Sequence, residues 1–178
     1  MACDITSGFA LGCRDNTGGI KALYILSGSV TTITDTSNEI SDIDGSGVFY
    51  QFDLQRNTSD FTETINGSTE NGTVFYEATV NAVFAKLQTS VRNQIKVLAA
   101  NPDLKIVVET NNDASGSKFF YVGRVFGAQL NGGQGQSGTA IGDANGYTLT
   151  FTAQEPNPAD VITGTTLADA LTGITVSQ

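Results

Sequence analysis

The residues able to do chemistry are few, and their spacing rules out most of it. The 178-residue chain has no histidine, which removes Ser-His, Cys-His and His-metal arrangements together. Its thiols are Cys3 and Cys13. They read as two reduced thiols, with one small disulfide loop as the alternative, and without further ligands they complete no common zinc site. Asp42-Ile43-Asp44-Gly45 begins like a calcium loop, but the later oxygen ligands and the closing Glu are missing and both flanks read as strands. The Gly-rich stretch 131–138 lacks the Lys and the helix that a phosphate cradle needs. Asn57, Asn66 and Asn71 head glycosylation sequons, yet they sit in a turn-rich region and no secretory signal precedes them. Phe119-Phe120-Tyr121 has the composition of a base-stacking platform, but on a strand of an acidic chain it reads as core. No catalytic residue, cofactor or metal ligand is assigned, and an enzyme is the least favoured class.

Charge narrows the partners. Nine Lys and Arg stand against 18 Asp and Glu, for a net charge of −9 and a pI of about 4.2. A nucleic-acid binder presents the opposite field. A mean hydropathy of −0.05 fits a soluble chain, and no apolar run is long enough to span a membrane as a helix.

The elements that would carry such residues are mainly strands. Apolar IKALYIL (20–26) lies between glycines, VTTIT (30–34) is β-branched, and 38–43 is a weaker strand. Asp44-Gly45 and Ser46-Gly47 read as a turn. Segments 47–55, 59–65 and 73–85 alternate, the last placing Val74, Tyr76, Ala78, Val80, Ala82 and Phe84 on one face. Near Lys86 the period changes to that of a helix over about 88–100, with Val91, Ile95 and Leu98 inward and Thr89 or Ser90 as cap, ended by Pro102. Strands resume at 104–110, at 118–130 (broken by Gly123 and Gly127), and after Asn145-Gly146; 131–138 reads as a flexible loop. The predicted fold is mainly β: an antiparallel β-sandwich or barrel with one flanking helix. Residues 1–19 form an N-terminal arm, 20–158 the β domain, and 159–178 a C-terminal arm with a marginal helical turn near 167–171.

A surface dense in Thr, Ser, Asn, Gln and Gly costs little charge desolvation on burial and suits subunit packing. The order of several segments then resembles virion structural proteins of tailed bacteriophages. These are MACDITSG at 1–8, Gly12-Cys13, Gly18-Gly19-Ile20-Lys21 with Tyr24 and Ile25, FTETIN at 61–66, NGTVFYE at 71–77, Tyr121-Val122-Gly123, Ser137-Gly138-Thr139, Gly142-Asp143, NGYTLT at 145–150 and Glu155-Pro156. Within that group the chain is most similar to the tail tube proteins of long-tailed phages. The resemblance implies a virion subunit that packs with copies of itself into stacked hexameric rings and meets other virion proteins. DNA would pass through without specific binding, with no membrane partner. Assembly would take place in the host cytoplasm. On that reading Asp53, Asp60, Glu63, Glu70 and Glu77 face the lumen, and Cys3, Ile5, Phe9, Leu11 and Cys13 lie on the assembly arm. A capsid decoration or head–tail ring protein, and a secreted adhesin or carbohydrate-binding β-module, are the alternatives.

Overall fold

The computed structural model describes residues 8, 14, 16–113 and 118–178. Among these residues are ten strands and one α-helix. The first two strands, β1 (Ile20–Thr36) and β2 (Glu39–Asp53), form one long hairpin. Its turn is Ser37-Asn38, both with positive φ (56° and 66°), the backbone shape whose twist matches paired strands. The sequence predicts a break at 44–47, but the ladder continues through it. Gly28 faces Gly47 in register, and a Cβ on Gly28 would meet the Ser46 carbonyl oxygen at 2.1 Å. The glycines there allow two backbones to touch rather than reverse the chain.

Strands β5 (Ile106–Thr110), β6 (Phe119–Val122) and β9 (Asp160–Ile162) complete the circuit begun by the hairpin. The order is β1-β5-β6-β9-β2, and the β1–β2 pairing closes it. Inside sit Ala22, Tyr24, Leu26, Ile40, Ile43, Phe49, Val107, Phe119 and Tyr121. Tyr24 meets Phe119 edge-on at 6.4 Å.

The second layer is a four-stranded antiparallel sheet ordered β3-β4-β8-β7, from β3 (Asp60–Ser68), β4 (Thr73–Ala85), β7 (Gln129–Gln136) and β8 (Gly146–Glu155). Ala78, Val80, Ala82, Leu149, Phe151 and Ala153 pack against Leu23, Ile25, Ile106 and Val108 of the first layer. Thus the first part of β1, through Leu26, and β5 are covered on both faces, which is why they read as apolar runs. Phe52–Phe84 (5.8 Å) and Phe61–Phe120 (5.5 Å) join the layers.

The helix α1 (Thr89–Ala100) lies where its periodicity puts it, with Ile95 and Leu98 against the inter-layer core. Its cap differs from the expectation. Thr89 and Ser90 fall inside the first turn, Gln88 is the N-cap, and no side chain caps it. Instead Asn145 pins the entry: its carbonyl accepts the Lys86 N–H (2.7 Å) and its side-chain oxygen the Leu87 N–H (3.0 Å).

Three further expectations are corrected. Residues 159–178 are no free arm. β9 and β10 (Leu171–Ser177) pair with β2, a short 3-10 turn (Leu167–Ala170) lies between them, and Ile162, Leu167, Ala170 and Ile174 enter the barrel core. Alternating apolar residues spaced by Thr and Gly suffice for strands once an edge of β2 is open to them. The first layer is also not wholly antiparallel, because β9 and β10 run parallel to β2. Finally, 118–130 is not one strand. The chain crosses between layers at Gly123 and Gly127, whose φ values are 83° and 80°, and 131–136 then continues as an edge strand rather than a flexible loop, because ladder bonds need only backbone. The proposed N-terminal arm residues Cys3, Ile5, Phe9, Leu11 and Cys13 lie outside the described residues.

Candidate functional site

The four-stranded sheet turns one face to the core and leaves the other bare. Alternation fixes which side chains stand on the bare face. Opposite buried Val80 and Phe151 stand Thr62, Thr64, Glu77, Thr79 and Asn81, joined on β8 by Thr148, Thr150, Thr152 and Gln154. Strand β7 adds Gln129 and Gln134 beside them. Threonine serves both needs here: its branched Cβ favours a strand and its hydroxyl tolerates water.

These side chains bond to one another across the strands. Asn81 Nδ2 donates to both Asp60 carboxylate oxygens (3.2 Å each), and Thr150 Oγ1 donates to Asn81 Oδ1 (3.0 Å). Gln154 Nε2 donates to Glu77 Oε2 (2.8 Å), and Asn131 Nδ2 bonds to Thr152 Oγ1. The face is therefore laced and mostly polar, with Phe75 and Val83 of β4 as its apolar residues. No Lys or Arg occurs on any of its four strands, although Asp60, Glu63, Glu77 and Glu155 do.

Both outer strands of this sheet are edges. Among the described residues β3 pairs with β4 alone and β7 with β8 alone. Exposed edges offer unpaired N–H and C=O groups to another chain. Neither edge carries the Lys or Pro that commonly blunts one.

The five acidic residues singled out in the sequence do not share one surface. Asp60 and Glu77 stand on the bare face. Glu63 points the other way and accepts the Ala159 N–H (2.6 Å). Asp53 ends β2 in the first layer, accepting from Gln51 and Gln178 side chains (2.8 and 3.1 Å). Glu70 is exposed in the β3–β4 turn. The calcium-like Asp42 accepts the Thr172 hydroxyl (2.8 Å) as a strand-to-strand tie. No group of three or more Cys, Asp or Glu able to hold a metal occurs among the described residues. Phe119 and Tyr121 lie inside the barrel, as core.

Buried charge elsewhere is spent on holding the fold. Glu109, 3% exposed, takes the Tyr24 hydroxyl (2.7 Å) and Lys21 Nζ (2.9 Å). Burial, then the Glu109 contact, pushes the Tyr24 hydroxyl far above its ordinary range, and the bond to Glu109 raises Lys21. Arg124 spans Asp160 (2.8 Å) and Asp35 (2.6 Å), tying the β1–β2 hairpin end to β9. Its hydrogen bond holds Asp35 below the usual carboxylate range. Glu155 accepts the Val125 N–H (3.1 and 3.0 Å) and the Phe126 N–H (3.0 Å), which fixes the crossing between layers. The cavity beside Tyr121, Arg124, Glu155 and Asp160 is about 20 Å³, room for a water rather than a metabolite.

Sequence reasoning missed one of the four strands of the bare face, because most of β7 reads as a loop. The surviving signal was Gln129, Asn131, Gln134 and Gln136: polar side chains broken in step by the register shift between Leu130 and Gly132. No helix among the described residues is long and apolar enough to cross a membrane. Comparison of the chain with protein families, with curated proteins and with solved structures finds no match.

Proposed function

We propose that this chain is a virion structural protein, a tail tube subunit that assembles with copies of itself into stacked rings enclosing a passage for DNA. The observation that carries the reading is the four-stranded sheet, open at both edges and free of cations on its bare face. Pairing β3 of one copy with β7 of the next is a head-to-tail contact, and such contacts generate rings when the rotation closes. The sheet then runs continuously around the ring, with the bare faces of all copies lining the bore. The hexamer implied by the sequence resemblance is one such closure.

The chemistry of that face suits a conduit. Duplex DNA binds proteins largely through Lys and Arg that displace its counterions. This face offers none, and Asp60 and Glu77 repel phosphate. Threonine, asparagine and glutamine keep it wetted without holding the polymer at any one place. The segment 159–178 packs on its own barrel, so reach between copies falls to the sheet edges.

Electron microscopy of the concentrated protein tests this. Rings or tubes are expected. A single-copy particle at every concentration would refute the reading, and trimers or isolated pegs would favour a capsid decoration protein.

A further inference from the structure

Two features at opposite ends of the four-stranded sheet do no work within one copy. At the end where β4 begins and β8 finishes, Val74 (59% exposed), Phe75 and Phe126 (67% exposed) line a groove of about 700 Å³ with Gln154 and Pro156. The backbone at Phe126 is held, since the Glu155 carboxylate grips its N–H and that of Val125. Exposed apolar side chains gathered along one groove mark a contact surface.

At the other end the β7–β8 loop (137–145) presents Ile141, fully exposed. This loop is also fixed. Asp143 Oδ2 accepts the Thr139 and Ala140 N–H groups (2.8 and 2.7 Å), and the Asp143 N–H donates to the Ala140 carbonyl (3.1 Å). The Asn145 bonds to Lys86 and Leu87 anchor its base. The register sets the two features apart: Tyr76 pairs with Glu155 at the groove end and Ala85 with Gly146 at the loop end. They cannot meet within one copy. A second copy displaced along the strand direction brings them together.

Charge favours the same arrangement. The loop end carries Lys86, exposed and without an ion-pair partner among the described residues, and Asp143, whose carboxylate is taken up by the Thr139 and Ala140 N–H groups, while the groove end carries Glu70 in the β3–β4 turn and Glu77 two residues past Phe75. We propose that Ile141 of one copy seats in the Phe75–Phe126 groove of the next copy along the strand axis, as the contact that stacks one ring on another. This rests on the ring-forming reading above and adds to it the axial interface.

Cross-linking tests the contact in the full chain with Cys3→Ser and Cys13→Ser. One preparation carries Ile141→Cys, another Phe75→Cys, and the two are mixed under mild oxidation. A disulfide-linked dimer is expected at least tenfold above a control pairing Ile141→Cys with Thr64→Cys. Yield no higher than the control would overturn the contact. Microscopy of Ile141→Asp and Ile141→Leu supplies the second readout. The Asp variant is expected to keep rings and lose at least tenfold of the stacked fraction, while the Leu variant stacks normally. Wild-type stacking by Ile141→Asp would overturn the axial contact and leave the ring reading standing. A wild-type chain that forms no rings would overturn both.

Discussion

The two layers of this protein solve the edge problem in opposite ways. In the first, β1, β5, β6, β9 and β2 pair around a closed circuit, and the C-terminal strand β10 covers the rest of β2. Its buried apolar side chains face one core or the other, and its buried carboxylates Glu109 and Asp160 each have a partner. In the second layer, four strands stop with both edges open and one face bare. The first layer closes its barrel within one chain, and β10, paired with β2 alone among the described residues, is its outer edge. The second layer is covered on its inner face only, and its outer face and both edges are left open among the described residues.

That contrast is broken most severely from the core. Phe49→Ala in the barrel, or Phe151→Ala between the layers, is expected to cost about 3–5 kcal/mol, by lost burial plus the cavity left. Thr150→Ala on the bare face should cost about 1 kcal/mol or less, since only a wetted hydrogen bond is lost. Denaturant unfolding reads both. Equal costs would mean that the bare face carries stability, and would erase the distinction between the layers.

Next come the ties that close the barrel. Tyr24→Phe leaves buried Glu109 one donor short and is expected to cost about 1–3 kcal/mol. Arg124→Gln strands nearly buried Asp160 and is expected to cost about 2–3 kcal/mol. The matching change on the bare face, Glu77→Gln, exchanges one exposed hydrogen bond and should fall within about 0.5 kcal/mol. Thermal melts at fixed pH would show the ranking.

Acid sharpens the comparison further. Backbone N–H groups of Ala140 and Thr139 hold Asp143 below its ordinary range, and Arg124 does the same for Asp35. A carboxylate lowered by folding stabilises fully above its unfolded value of about 4, and that contribution drains away as pH falls through the lowered value. Amide exchange at Thr139 and Ala140 should therefore rise below about pH 4, before the barrel strands open. Protection of that loop unchanged down to global unfolding would contradict it.

The smallest effect on folding is the most informative about the proposed bore. Thr79→Lys with Thr152→Lys sets two cations side by side on the bare face, where these residues are register partners. Stability should shift by no more than about 0.5 kcal/mol each. Assembled particles should gain duplex-DNA binding that weakens steeply with salt, and the unaltered chain should show none. Binding by the unaltered assembly would contradict a passive passage.

Much of the first layer and the helix was legible in the sequence. IKALYIL announces a strand covered on both sides, and Val91, Ile95 and Leu98 announce α1. What misled was glycine. At 44–47 it permits close strand contact instead of a turn, and at 132, 133 and 135 it sits in an edge strand instead of a loop. Composition cannot separate these uses, because each depends on what lies across the ladder. The C-terminal segment was misread for a related reason: its few apolar residues matter only once β2 offers an edge. Of the acidic set, alternation within β3 and β4 could have separated Glu63 from Asp60 and Glu77, but the layer containing Asp53 is fixed by tertiary pairing alone.

Backbone exchange at the two open edges, followed as the chain is concentrated, tests the central claim most directly. Amides on the outer side of β3 and β7 should exchange freely in dilute solution. They should become protected together as rings appear by microscopy, while the barrel strands change little. Edges that stay equally exposed at every concentration, in a chain that remains single, would contradict it.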